Sequence, residues 1–179
     1  MKFSPIFVSL KQPCILDKTK HFHWVAADGN CLYHACSTAV AGNDKLSSLL
    51  RALTSAELYL YPEFYASHPT FIHLTKQINR PLESVFSCSL IFEAVDIIKK
   101  DLQNYSECVR FEALKNSGNK RWCSFICMLA VSSVLGLKIH SFYPDTGAMN
   151  LGKVAFNLSN AIIEPRHPTN LAQPPICLL

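Results

Sequence analysis

Charge is scarce in this chain. Only 17% of its 179 residues are charged. Its lysines and arginines are scattered, apart from Lys99-Lys100 and Lys120-Arg121, with no basic stripe and no interleaved aromatics. A nucleic-acid surface needs such a stripe to neutralise phosphates, so the sequence speaks against a nucleic-acid partner. No apolar run reaches the roughly 20 residues that cross a bilayer, so no membrane partner is expected either. Met1 to Leu10 resembles the start of a secretory leader, but Pro5 interrupts it and no small-residue cleavage site follows. A cytoplasmic or nuclear location is the expectation. Eight cysteines are present, at 14, 31, 36, 88, 108, 123, 127 and 177. They form no CxxC pair and no paired Cys/His spacing, which argues against a zinc site or a disulfide framework. No metal and no cofactor is expected, and no repeat or low-complexity tract interrupts the chain.

What is present is apolar: 49% of residues are hydrophobic, enough for one domain with a sizeable core. The most informative stretch is Ala27-Asp28-Gly29-Asn30-Cys31-Leu32-Tyr33-His34-Ala35-Cys36. Asp28, Gly29 and Asn30 are turn and N-cap residues, and Leu32, Ala35, Cys36, Ala39 and Val40 then recur at helical spacing. Cys31 is thereby delivered to the first turn of a helix, where the macrodipole favours a thiolate and free N–H groups face an oxyanion. Gly29 suits a positive φ or a close substrate approach. Asp28 and Asn30 are each open to two roles, capping the helix or shaping an oxyanion site. The other cysteines read as small buried hydrophobes in apolar helical patterns.

Asp-Gly-Asn-Cys-Leu-Tyr-His-Ala at 28–35 resembles the signature of the ovarian-tumour (OTU) family of cysteine proteases, which are deubiquitinases. A second block supports the likeness. Arg121-Trp122, the apolar positions Phe125, Ile126, Leu129, Ala130, Val134 and Leu135, and then Gly136 to Phe142 resemble that family's Trp-led helix and following core strand. The likeness runs from about His21 to Leu179 and is greatest to divergent animal members, including a vertnin-like branch. It implies an α+β, papain-type fold with a small central sheet flanked by helices. It divides the chain into an extension over 1–20, packed on the domain, and a catalytic domain over 21–179. The partner it implies is ubiquitin or polyubiquitin, cleaved as an isopeptide through a Cys31 thioester.

A base must stand beside Cys31, because a free thiol with a pKa of about 8.5 is only a few per cent ionised at neutral pH. The OTU family keeps this histidine on a strand near the C-terminus, oriented by Asp or Asn. Here the last strand reads Pro174-Pro175-Ile176-Cys177-Leu178-Leu179 and holds no histidine. The nearest is His167, with Asn170 or Glu164 as orienting residue. His23 and His21, on the strand before the nucleophile turn, are the alternatives. His34 is expected to pack beside the site, His140 to be a core or edge residue, and Trp122 to anchor its helix to the core. The rival to an enzyme is a catalytically impaired OTU-fold module that binds ubiquitin or another partner without the terminal histidine.

The remaining pattern predicts a strand near Ile6–Val8, another over 21–26, and helices over 30–41 and 45–61. The second helix would turn Leu46, Leu49, Leu50, Leu53 and Leu58 towards the core. Pro62 and His68-Pro69 would bound a loop and a short helix, and 80–92 would be irregular. A helix over 91–117, interrupted near Tyr105, precedes the Trp-led helix over 121–135. Strands follow at 138–143, 154–158, 161–164 and 176–179, with a reverse turn at Pro144–Gly147.

If the cysteines are reduced and no metal is bound, thermal midpoints should agree closely with and without reductant, and with and without chelator. A fall above about 10 °C in either comparison, equivalent to several kcal/mol, would show a covalent or metal staple.

Overall fold

The computed structural model describes residues 7–9, 22–25, 28–90, 104–118, 122–142, 153–168 and 175–178. Cys14, His21, Asn170, the 91–103 part of the expected long helix and the Pro144–Gly147 turn lie outside these. The fold is α+β, with a small mixed sheet among helices, as the sequence implied.

The strands β1 (Phe7–Ser9), β2 (Phe22–Trp24), β3 (Ile139–Ser141), β4 (Ile162–Ile163) and β5 (Ile176–Leu178) lie in the order β2-β1-β5-β3-β4. β1 runs antiparallel to β2 and β5, with Phe7 opposite Trp24 and Val8 opposite Leu178. β3 pairs antiparallel with β4 and parallel with β5, placing His140 beside Cys177. The terminal strand β5 is thus central. Its three residues are buried, as a strand covered on both faces must be.

The helix α1 (Cys31–Ala41) lies over β1 and β5. It ends at Gly42, whose φ of +72° gives the left-handed cap that releases a helix cheaply. α2 (Ser47–Leu60) packs between α1, α6 (Tyr105–Asn116) and α7 (Phe125–Leu135). Asn104 caps α6 by accepting the Glu107 N–H at 3.1 Å, and α7 ends at Gly136 with φ +63°. The core joins Leu32, Tyr33, Leu58, Phe71, Phe86, Ile126, Leu129, Ile139 and Ile163, all almost fully buried. Its aromatic part is a run of edge-to-face pairs, Phe71–Phe86 at 5.3 Å and Phe86–Tyr105 at 4.8 Å between ring centres.

Several expectations are corrected. Where a loop was expected after Pro62 there is a helix, α3 (Pro62–Ala66), while Pro69 opens the expected short helix, α4 (Pro69–Ile78); each proline stands at a first-turn position where a missing N–H costs nothing. His68 caps α4 by accepting the Thr70 N–H at 3.3 Å. Burial pushes its pKa down to about 4, so the ring stays a neutral acceptor. The stretch expected to be irregular carries α5 (Leu82–Ser87), led in by Pro81. Val154–Leu158, expected to be a strand, belongs to α8 (Lys153–Ser159). Short apolar runs do not discriminate helix from strand by periodicity. Trp122 precedes α7 and stands 45% exposed, so it is no core anchor.

The largest correction is the phase of α2. Its buried residues are Ser47, Leu50, Arg51, Thr54, Ser55 and Leu58. Leu46, Leu49 and Leu53 are exposed. Only two of the five leucines expected inside are there, and the inner face is largely polar.

In dilute protein, Leu58→Ala should therefore cost about 3 kcal/mol, as a fully buried leucine does, whereas Leu53→Ala should stay within about 0.5 kcal/mol. Urea titrations of the two variants test the phase, and equal losses would contradict it.

Candidate active site

Asp28 and Gly29 form a bend, and Asn30 is the residue before α1. The Asp28 carboxylate accepts the Asn30 backbone N–H at 2.8 Å, closing an Asx turn. That bond and the neighbouring His34 hold its carboxyl below the usual range, against a smaller opposing effect of burial. The His34 Nε2 lies 3.2 Å from Asp28 Oδ2, and its Nδ1 is 3.8 Å from Asp44. Gly29 has φ +87°, the left-handed conformation anticipated for it. Asn30 does not cap the helix, which has no side-chain cap. Its Oδ1 instead accepts Arg51 Nε at 2.6 Å.

Arg51 is the residue that sequence reasoning missed. It comes from the middle of α2, is 2% exposed, and binds the whole turn. Its Nη2 donates to the Gly29 carbonyl and contacts the Cys123 sulfur at 3.7 Å. Its Nη1 donates to the carbonyls of Asn116 at 3.0 Å and Gly118 at 3.1 Å. The guanidinium carbon lies 4.8 Å from the centre of the Tyr33 ring, and the Tyr33 hydroxyl donates to Asn116 Oδ1 at 2.8 Å. Asn116 Nδ2 in turn donates to Ser55 Oγ at 2.9 Å. The available signal was an arginine within a leucine-rich helix, with Ser47, Thr54 and Ser55 one turn away on its face.

Cys31 is the first residue of α1 and is 4% exposed. The amides of Leu32 and of Cys31 itself point at the sulfur and favour the thiolate, as a helix start should. Burial outweighs them and raises the thiol above its ordinary pKa, and the Asp28 charge adds to the rise. The position alone therefore does not give the depressed pKa that the sequence led us to expect. The Arg51 charge joins the two amides on the lowering side, without reversing the rise.

His167 and Glu164 stand apart from Cys31. His167 is exposed, with its Nε2 2.7 Å from Arg166 Nη1. Arg166 is held by Glu57 at 2.9 Å, stacks 3.6 Å from the Tyr61 ring centre, and donates its backbone N–H to Ser133 Oγ at 3.0 Å. Ser133 is in the last turn of α7, whereas the Gly29 carbonyl meets Cys123 just before that helix, at 3.8 Å. The helix separates these two points by about 15 Å at 1.5 Å per residue. His167 and the Asp28–Cys31 turn thus sit at opposite ends of α7. Glu164 is on the His167 side, paired with Lys138 at 2.8 Å. His23 lies in β2, opposite Val8. Seven described cysteines are free thiols, and no described group of His, Cys, Asp and Glu side chains is arranged to hold a metal. Among the described residues no helix is long and apolar enough to cross a membrane.

Arg51→Met should lower stability by about 3 kcal/mol or more, because it strands the buried carbonyls of Gly29 and Asn116 and removes the donor to Asn30 and Gly118. Arg51→Lys should recover only part of this, since one ammonium cannot serve acceptors fanned around a planar fork. Urea unfolding of both variants measures the effect, and full recovery by lysine would contradict the role given to the fork.

The site is thus a turn ending in a buried helix-start cysteine, on a helix that lies over β1 and the central strand β5. The family model for the Vertnin OTU domain matches residues 24–179. No curated protein and no solved structure matches the chain. The match covers most of the chain, which therefore belongs to the Vertnin OTU-domain family.

Proposed function

We propose that this domain recognises the C-terminal tail of ubiquitin or a ubiquitin-like protein and keeps Cys31 as a latent, largely protonated thiol. The observation that carries this reading is the state of the sulfur. It is buried at the start of α1, and burial together with the Asp28 charge raises its pKa. A thiol above its ordinary pKa holds less than the few per cent of thiolate that an exposed cysteine has at neutral pH. Without a base, acyl transfer loses the hundredfold or more that general-base catalysis contributes, by order of magnitude. Membership of the OTU family supports a ubiquitin-type tail as the ligand, and the Gly29 turn leaves no side chain between the tail and the backbone there.

A second reading is an active isopeptidase, favoured by the amides of Leu32 and Cys31 gathered at the sulfur. In it, the Cys31 thiolate attacks the carbonyl of the terminal glycine. The C–N bond breaks, the amine leaves with a proton, and water then hydrolyses the thioester. The base would come from the strand that carries His23 and is preceded by His21.

Ubiquitin carrying a C-terminal electrophile separates the two. The latent module should bind unmodified ubiquitin saturably and form its adduct slowly, only at Cys31, with a rate that climbs beyond the ordinary thiol range of pH. Cys31→Ala should abolish the adduct and keep the binding. Asp28→Asn should speed adduct formation and move its midpoint to lower pH, because it removes a negative charge that opposes the thiolate. Rapid adduct formation governed by a group titrating near neutrality, and lost in His23→Ala or His21→Ala, would select the isopeptidase. Absence of both binding and adduct would remove ubiquitin as the ligand.

A further inference from the structure

α2 is built inside out. Its face towards the protein holds Ser47, Arg51, Thr54 and Ser55 with only two leucines, whereas its outer face carries Leu49, Ala52, Leu53, Ala56, Tyr59 and Leu60. Leu49 is 55% exposed, Leu53 44%, Tyr59 53% and Leu60 66%. The two charged residues of the helix are both engaged elsewhere. Arg51 holds the nucleophile turn, and Glu57 accepts from Arg166 and from the Tyr65 hydroxyl. The outer face therefore presents only Ser48 among its apolar side chains over the roughly 21 Å that fourteen helical residues span.

The spacing is as informative as the composition. Leu46, Leu49, Leu53, Ala56 and Leu60 follow one another at intervals of three, four, three and four. That is the a/d seam of a coiled coil, sustained for two heptads. A single helix facing water gains nothing from it, whereas a helix laid against another buries knobs in holes.

We propose that this face is the contact surface between two copies of the chain, which pair through antiparallel α2 helices about a two-fold axis. The seam is self-complementary in that arrangement. Leu49 meets Leu60 of the second copy and Leu53 meets its Ala56, and the symmetry repeats both pairs, so a large side chain faces a small one in the two middle layers. The two helix dipoles oppose each other, which favours the antiparallel sense. Charge agrees at the ends, because each exposed Lys45 is carried towards the end of the other α2, where the exposed Glu63, paired within its own chain with Arg110 at 3.2 Å, has a second carboxylate oxygen to offer. The seam with Tyr59 and the two alanines offers on the order of 500 Å² per copy, hence about 1,000 Å² for the pair, which reaches the lower bound of a specific interface.

Sedimentation equilibrium of the 179-residue chain tests this. At tens of micromolar the wild type should weigh about 40 kDa, twice the 20.0 kDa of one chain. Leu53→Glu should weaken the pairing at least about a hundredfold by burying a charge in the seam, while leaving the circular dichroism and thermal midpoint of dilute protein unchanged. The Leu53→Cys, Ala56→Cys double variant, oxidised with copper-phenanthroline, should give a covalent dimer whose disulfide maps between 53 of one copy and 56 of the other. A wild type that stays at 20.0 kDa up to about 100 μM overturns the proposal. So does a dimer indifferent to Leu53→Glu, or a monomer that instead adsorbs to neutral lipid vesicles.

Discussion

The structure depends on one buried guanidinium. Arg51 reaches from α2 to the carbonyl of Gly29 and the side chain of Asn30, and it also ties in Asn116, Gly118 and Cys123. Removing a cation of this size from water is expensive, and only good geometry to several acceptors offsets the cost. The acceptors here are mainly backbone carbonyls of bends and helix ends, groups that would themselves be stranded without a donor. The turn that presents Cys31 is therefore held from behind by a helix rather than by its own capping residue. Asn30 is withdrawn from the helix start to serve the arginine, and Asp28 closes the turn from outside.

The same contact fixes the rotation of α2. At 100° per residue, turning Arg51 inward places Leu46, Leu49, Leu53, Ala56 and Leu60 all within about 40° of the opposite direction. The apolar outer face is thus a consequence of where the arginine must point. A helix rotated to bury those leucines would put Arg51 in water and release Gly29 and Asn30. Two demands compete for the phase of one helix, and the polar one wins because unsatisfied buried acceptors cost more than exposed leucines.

This competition also explains what could be read from the sequence. α1, its turn and the positive φ of Gly29 were legible, because glycine and Asx residues specify local geometry by themselves. The absence of a histidine from the terminal strand was equally plain. The facing of α2 was not legible, because leucines lie on both sides of the helix and periodicity alone favoured the richer side. Arg51 was invisible for the related reason that its partners, Asn116 and Gly118, lie far along the chain. Val154 to Leu158 misled because its alternation is only five residues long and suits a helix on a surface equally well. Pro62 was read as opening a loop, although proline is favoured at the first position of a helix.

The terminal strand completes the argument about chemistry. β5 sits between β1 and β3 with its three residues buried, so any side chain on it is surrounded by core. An imidazole there must be fully hydrogen-bonded or remain a costly buried polar group. Cys177, 9% exposed, stands at this level, with its thiol 3.9 Å from the Pro175 carbonyl. A thiol tolerates that setting as a small hydrophobe with only a weak hydrogen-bonding demand. Burial thus acts alike on the two cysteines: it suits the neutral thiol of Cys177 at the centre of the sheet and disfavours the thiolate of Cys31 at the start of α1.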